Sequence, residues 1–165
     1  MMANWMKRIA ASAGSVIVGR VLYYAHMSLI DCLPHQPPMR LLEEIVAIRY
    51  GESATGRRVA HADDFYFQGH FPGQPVVPAV ILVEMLAQVG GIAVAASEDG
   101  GQRPQLRVAA LGPFKFPAAA TAGATLDATA RVAGRIGALY KIEGTVTADG
   151  VLVASGSVTL ADSPA

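Results

Sequence analysis

The chain has 165 residues, of which 52% are hydrophobic and 16% are charged, and its formal net charge is zero. This length and apolar content predict one globular domain and exclude a disordered chain. The zero net charge argues against a nucleic-acid binder, which must neutralise phosphates. The single cysteine, Cys32, excludes an intrachain disulfide and favours a reducing, cytoplasmic compartment.

The first 26 residues differ from the rest of the chain in charge. Residues 1–30 contain three basic side chains and no acidic one, and an apolar stretch follows the basic start. Such a segment is typical of weak targeting or of a membrane surface, but it is shorter than the roughly 20 apolar residues that span a bilayer. We interpret residues 1–26 as an upstream extension, with Met27 as a candidate true start and a weak targeting segment as the alternative, and residues 27–165 as the folded domain. No stable membrane insertion is expected.

The first half of the domain predicts two strands and one long helix. Residues 39–50 follow a proline-rich turn and are predicted as a strand, with residues 55–62 as its antiparallel partner. Pro78 suits the first turn of a helix, where its missing N–H has no partner to lose. Residues 79–96 contain no proline and are predicted as that helix. The helix is apolar on every side except at Glu84 and Gln88, so it is expected to be buried.

The second half predicts strands only. Period-two alternation and many Val, Ala and Thr residues mark four segments, at 106–116, 124–132, 138–148 and 151–160. Asp149-Gly150 lies between the last two and suits the positive φ angles of a tight hairpin. The whole pattern predicts an α+β fold in which an antiparallel β-sheet wraps around one long buried central helix.

One loop and one helix residue carry the groups that acid–base chemistry most often needs. His70 lies in a stiff Gly/Pro-rich loop, and Glu84 follows fourteen residues later in the apolar helix. A buried carboxylate costs several kcal/mol unless it is paired or protonated. The alternatives are a hydrogen-bonding loop histidine and a structural acid satisfied by backbone donors.

The stretch from Phe67 to Gln88 resembles the β-hydroxyacyl-acyl carrier protein dehydratase family, which has the hot-dog fold. The matching residues are FQGHFPGQP at 67–75, Pro78, and EMLAQ at 84–88. Leu33-Pro34-His35 and the FKFP sequence at 114–117 also fall at family positions. The resemblance covers residues 28–160, which is almost all of the predicted domain.

The resemblance implies dehydration of (3R)-3-hydroxyacyl thioesters on acyl carrier protein to trans-2-enoyl thioesters and water, in fatty-acid or related lipid or polyketide synthesis. It implies no metal and no redox cofactor. His70 would remove the proton next to the thioester carbonyl, and Glu84 would help the β-hydroxyl leave as water. Free N–H groups at the start of the helix would stabilise the developing enolate oxygen. The residues expected to bind substrate are Gly69, Phe71, Ala79, Val80 and Gln88.

The resemblance also implies a homodimer with active sites at the subunit interface, and in many members a trimer of dimers. Two residues depart from the family pattern: Ala79 stands where glycine is usual, and Phe116 where a basic residue is common. These departures keep other hypotheses open. One is an enzyme that also isomerises the enoyl product or serves a specialised pathway. Another is an acyl-thioester-binding module without turnover.

The remaining polar residues are expected to have structural or surface roles. His35 in its proline turn is predicted to be structural, and His26 and His61 are predicted to lie at the surface. Asp63-Asp64 is interpreted as a solvated turn, because no further acidic or histidine residues follow at the spacing of metal ligands. We therefore expect no metal site.

Overall fold

A computed structural model of the protein describes residues 29–95 and 105–162, where six strands form one sheet beside one α-helix. Short 3₁₀ helices lie at Leu29–Cys32 and Phe65–Phe67. The longer elements are β1 (Glu44–Arg49), β2 (Ser53–Val59), α1 (Ala79–Ala95), β3 (Leu106–Leu111), β4 (Thr125–Ile136), β5 (Leu139–Ala148) and β6 (Val151–Asp162). The predicted α+β class with an antiparallel sheet is confirmed. The predicted extension, residues 1–26, lies outside the described residues.

All neighbouring strands of the sheet are antiparallel, in the order β1-β2-β4-β5-β6-β3. The β5–β6 hairpin turns at Asp149 and Gly150, whose φ angles are 48° and 82°. Both central residues have positive φ, as the Asp-Gly sequence predicted for a tight hairpin. Strand β3 follows α1 in the chain but pairs with β6, so it forms one edge of the sheet.

Helix α1 is the centre of the hydrophobic core. It contacts β2, β4, β5 and β6, and the side chains of Met85, Leu86 and Val89 are fully buried. The helix approaches the sheet so closely that a Cβ on Gly90 would lie 2.7 Å from Ile142 Cγ2. This packing confirms that the apolar helix is buried and explains why glycine is needed at the contact.

The first strand is shorter than predicted. It begins at Glu44, whereas the pattern predicted a strand from residue 39. The backbone before it is bound by a side chain instead of a neighbouring strand: Gln88 of α1 accepts a hydrogen bond from the Leu41 N–H and donates one to the Met39 carbonyl. Backbone groups satisfied in this way have no need of a sheet partner.

Two later strands also differ from the prediction at their ends. Strand β3 ends at Leu111 and not at residue 116, because Pro113 follows and cannot donate to a ladder. Beyond Leu111, the Gly112 N–H still donates to the Ser157 carbonyl of β6, and an isolated bridge joins Lys115 to Ser155. Strand β4, by contrast, extends to Ile136.

Candidate active site

The loop that carries His70 is built from tight turns. Phe71 and Gln74 exchange backbone hydrogen bonds, with N···O distances of 3.2 and 3.0 Å. Between them lie Pro72 and Gly73, and Gly73 has a φ of 78°. Proline followed by a positive-φ glycine is the signature of a type II turn. The Gly/Pro sequence therefore fixes the backbone next to the histidine.

The His70 ring has a defined orientation and tautomer. Its Nδ1 lies 3.0 Å from the Val76 carbonyl oxygen, and the ring stacks on Phe71 at 4.1 Å between centroids. Because a carbonyl oxygen only accepts, Nδ1 must carry the hydrogen of this bond. In the neutral ring, Nε2 then has a lone pair that can take a proton. This is the arrangement that a general base requires.

Glu84 is held by its neighbour on the same face of α1. Gln88 is 1% exposed, and its Nε2 lies 2.9 Å from Glu84 Oε1. The same amide binds the backbone of Met39 and Leu41 at 2.7 and 3.0 Å. The two residues are four apart in the helix, so they lie on one face, and the structure shows that they are also hydrogen-bonded. Gln88 joins the carboxylate, the helix and the segment before β1 into one rigid unit.

Glu84 lies in the wall of a cavity of about 360 Å³. This volume falls in the range of about 300–1,000 Å³ that is usual for small-molecule sites. Its other walls come from four regions, namely the segment before β1, helix α1, the edge strand β3 and strand β6. The lining includes Cys32, Leu33, His35, Ala87, Gly91, Leu106 and Leu160. The cavity is therefore mainly apolar around one carboxylate.

His35 is also part of this cavity. Its Nε2 lies 3.4 Å from Glu84 Oε1, and its Nδ1 is buried without a hydrogen-bond partner among the described residues. The sequence predicted only a structural role for His35. The Leu33-Pro34-His35 motif was the available signal for a functional role. The contact itself was hidden, because α1 and this segment are far apart in sequence: Gln88 and Met39, which are hydrogen-bonded, are 49 residues apart.

His70 is not among the described residues that line the cavity. Within one subunit, His70 and Glu84 therefore do not share this cavity. The loop residues beside His70 are exposed, including Gly69 and Phe71, and so are Ala79 and Val80 at the start of α1. Val80 is 71% exposed despite being apolar.

A buried ionic network anchors the start of the His70 loop. Both Asp64 carboxylate oxygens lie 2.6 Å from an Arg58 guanidinium nitrogen, and the Tyr66 hydroxyl donates to Asp64 over 2.6 Å. Burial and then the hydrogen bond to Asp64 raise the pKa of Tyr66 above its ordinary value. Asp64 was predicted to be a solvated turn residue, but the structure shows it to be a partly buried ion-pair partner.

The described residues give no indication of a metal centre or of a membrane span. Within ranges 29–95 and 105–162, no three His, Cys, Asp or Glu side chains are grouped to hold a metal ion. In the same ranges, no helix has both the length and the apolar content that a bilayer crossing requires.

An antiparallel sheet packed on one long central helix defines a hot-dog protein. Solved structures with the same fold include the dehydratase heterocomplex ApeI:P from Xenorhabdus doucetiae, with a TM-score of 0.70 and 16% identity over 85% of this chain and 93% of that one. The PaaI protein of Escherichia coli matches with a TM-score of 0.57 and 17% identity over 73% of this chain and 79% of that one.

The sequence places the chain more narrowly. Residues 33–157 match the model of the FabA-like domain. The 3-hydroxyacyl-[acyl-carrier-protein] dehydratase FabZ of Caldicellulosiruptor saccharolyticus is 32% identical over 84% of this chain and 98% of that protein. The enzyme of the same name from Herpetosiphon aurantiacus is 34% identical over 76% of this chain and 92% of its own. The chain therefore belongs to the FabZ dehydratases of the FabA-like family.

Proposed function

We infer that the protein dehydrates (3R)-3-hydroxyacyl thioesters carried on acyl carrier protein, giving trans-2-enoyl thioesters and water for fatty-acid synthesis. The observation that carries this inference is the Glu84 carboxylate, which Gln88 holds in the wall of a largely apolar cavity. Such a cavity suits an acyl chain, and the Glu84 carboxyl group supplies a proton donor at its surface.

His70 and Glu84 divide the reaction between them. His70 Nε2 takes the proton from the carbon beside the thioester carbonyl, and the electron pair of that C–H bond forms the enolate. The enolate then re-forms the carbonyl while the carbon–carbon double bond forms and the β C–O bond breaks. A proton from the Glu84 carboxyl group goes to the departing oxygen, which leaves as water. His70 then holds one proton and Glu84 lacks one, so a proton transfer restores both.

The start of α1 supports the enolate step. The first amides of a helix have no intrahelical acceptor and lie at the positive end of its dipole. Ala79 and Val80 supply these amides, and both residues are exposed. We assign their N–H groups to the thioester oxygen, where negative charge develops. Because Ala79 replaces the glycine usual in the family but keeps the N–H group, the departure does not remove this donor.

The remaining assigned residues shape the site around these groups. Gly69 has a φ of 84°, which favours glycine and sets the direction in which the chain enters His70. Phe71 stacks on the His70 ring and offers an exposed apolar face to the substrate. Gln88 acts on the substrate through Glu84, because its amide is already bound to three protein groups.

A second copy of the chain is proposed to complete the site. Edge strand β3 is exposed along nearly all its length, and Leu111 is 59% exposed. An exposed apolar edge offers unpaired backbone groups to another strand. The same strand contributes Leu106, Arg107 and Val108 to the cavity that contains Glu84. A partner bound along β3 would therefore lie directly beside this cavity.

In that homodimer, His70 of one subunit would face Glu84 of the other, giving two equivalent sites related by a two-fold axis. The exposure of Phe71 and Val80 supports this arrangement, since both would be covered by the partner. We extend the proposal to a trimer of such dimers, following the family pattern. Acyl carrier protein is the expected macromolecular partner.

The domain boundaries and the cellular compartment can be proposed on the same basis. We propose that residues 27–165 form the dehydratase domain and that residues 1–26 are an extension of it. The match of the FabA-like domain to residues 33–157, which lies inside the range 27–165, supports these domain boundaries. A single free cysteine fits the cytoplasm, where thiols stay reduced.

Turnover of 3-hydroxybutyryl and longer 3-hydroxyacyl carrier-protein thioesters, followed by enoyl absorbance, tests the function. We expect activity in the wild type and a loss of about 10²–10⁴-fold in both His70→Ala and Glu84→Gln. His61→Ala is the matched control, because His61 pairs with Glu43 on the surface. A folded wild type without activity on carrier-protein or coenzyme A thioesters would instead indicate a binding module.

A further inference from the structure

The contact between His35 and Glu84 has no role in the mechanism described above. Both side chains lie in the wall of the same cavity, and Nε2 of the ring faces Oε1 of the carboxyl group at 3.4 Å. The Gln88 amide faces the same oxygen at 2.9 Å. Two nitrogen atoms from different parts of the chain therefore converge on one of the two carboxyl oxygens.

The surroundings of the ring decide which nitrogen carries the hydrogen. Nδ1 is buried, and no acceptor lies within hydrogen-bond distance of it among the described residues. A buried N–H without an acceptor is unfavourable. The tautomer with its hydrogen on Nε2 is therefore favoured, and that hydrogen lies on the side of Glu84.

Two donors on Oε1 distinguish the two oxygens of Glu84. An oxygen that accepts from both Gln88 and His35 is the carbonyl oxygen of the protonated acid, because its lone pairs are engaged. The acidic hydrogen then resides on Oε2. Without one of the donors, the acidic hydrogen could occupy either oxygen, and the carboxyl group could rotate. Small displacements of a reacting group reduce the rate strongly.

We propose that His35 is a positioning residue, whose Nε2–H acts with Gln88 to fix Glu84 so that Oε2 delivers the proton to the departing hydroxyl group. This inference rests on the proposed dehydratase function. It gives His35 a role in the chemical step without contact with the reacting atoms, and it makes the segment before β1 a functional part of the site.

The test compares His35→Leu, His35→Gln and His35→Asn by steady-state kinetics on the carrier-protein thioester. We expect His35→Leu to lower kcat by about 10-fold, because Glu84 loses one of the two hydrogen bonds that hold it in the reacting orientation, with KM nearly unchanged. Gln can place its amide N–H near the Nε2 position, so His35→Gln should recover most of kcat. Asn is too short and should not. His61→Leu removes the other His–Glu contact, at 2.8 Å from Glu43, and should leave kcat unchanged.

Each result bears on the inference in a distinct way. A kcat for His35→Leu within about twofold of the wild type would overturn it. So would equal losses in the Gln and Asn variants, which would mean that the ring fills space and nothing more. The side chain is 33% exposed, so the polar variants should fold, and their comparison decides the question if His35→Leu unfolds. A wild type without turnover would overturn the proposed function itself.

Discussion

The two halves of the candidate site are built in different ways. Glu84 lies on the long buried helix and is fixed by side-chain contacts with residues far away in the sequence. His70 lies on a partly exposed loop, and its backbone and ring are fixed by neighbours within six residues. The helix half is preformed as part of the hydrophobic core, whereas the loop half is shaped mainly by local turns and is anchored to the core through Tyr66.

This difference shows what each half needs from the rest of the molecule. Buried side-chain networks are precise but depend on every partner, because an unpaired buried group is costly. A turn fixed by proline and glycine keeps its shape while exposed, so it can be presented to another subunit. In the proposed shared site, each subunit would contribute one element of each kind.

The largest expected effect comes from breaking the helix half at Gln88. The variant Gln88→Leu leaves the buried Leu41 N–H without its acceptor and the Met39 carbonyl without its donor. We expect the free energy of unfolding to fall by about 2–4 kcal/mol, together with a large loss of kcat because Glu84 is no longer held. Urea denaturation and steady-state kinetics measure both.

The control for this variant is Gln36→Leu, which changes an exposed glutamine in the same proline-rich segment. Its unfolding free energy should stay within about 0.5 kcal/mol of the wild type. Equal stability of the two variants would contradict the role assigned to the Gln88 amide.

Two adjacent glycines of α1 differ in how closely other residues approach them. A Cβ on Gly90 would clash with Ile142, whereas a Cβ on Gly91 would have only Leu106 Cδ1 nearby, at 4.0 Å. Gly90→Ala should destabilise the protein by about 1–2 kcal/mol, because overpacking exceeds the gain in helix propensity. Gly91→Ala should stabilise it by about 0.5–1 kcal/mol. Thermal unfolding of both variants checks the opposite signs, and a shared sign would refute the close helix–sheet approach at Gly90.

The smallest effect concerns the anchor of the loop half. Tyr66→Phe removes the hydrogen bond to Asp64 and should cost about 0.5–1.5 kcal/mol at neutral pH. Because the folded-state pKa of Tyr66 is raised, its contribution is present below the unfolded value of about 10 and is lost as pH rises above it. The wild type should therefore lose stability above about pH 10 more steeply than Tyr66→Phe. Parallel alkaline unfolding curves would contradict this.

Local patterns predicted most of the fold. Pro78 and the proline-free run after it located the helix, and Asp149-Gly150 located the last hairpin, because both signals act within a few residues. The start of β1 could not be predicted, since it depends on a Gln88 side chain that lies 47 residues from Leu41 in sequence.

The candidate site shows the same division. His70 and Glu84 were visible as polar residues in unusual sequence contexts, and helix periodicity placed Glu84 and Gln88 on one face, where they are hydrogen-bonded. The proximity of His35 to Glu84 and the burial of Asp64 against Arg58 were not visible. The first depends on a tertiary contact between distant segments, and the second on how the chain turns after β2, which local residue preferences do not determine.

Mixing two inactive variants tests the shared site most directly. His70→Ala and Glu84→Gln subunits are combined in equal amounts by co-expression, and turnover is compared with that of each variant alone. If each site takes His70 from one subunit and Glu84 from the other, every mixed dimer has one intact site, and random pairing restores roughly a quarter of wild-type activity. A mixture no more active than the separate variants, despite demonstrated subunit exchange, would contradict the account.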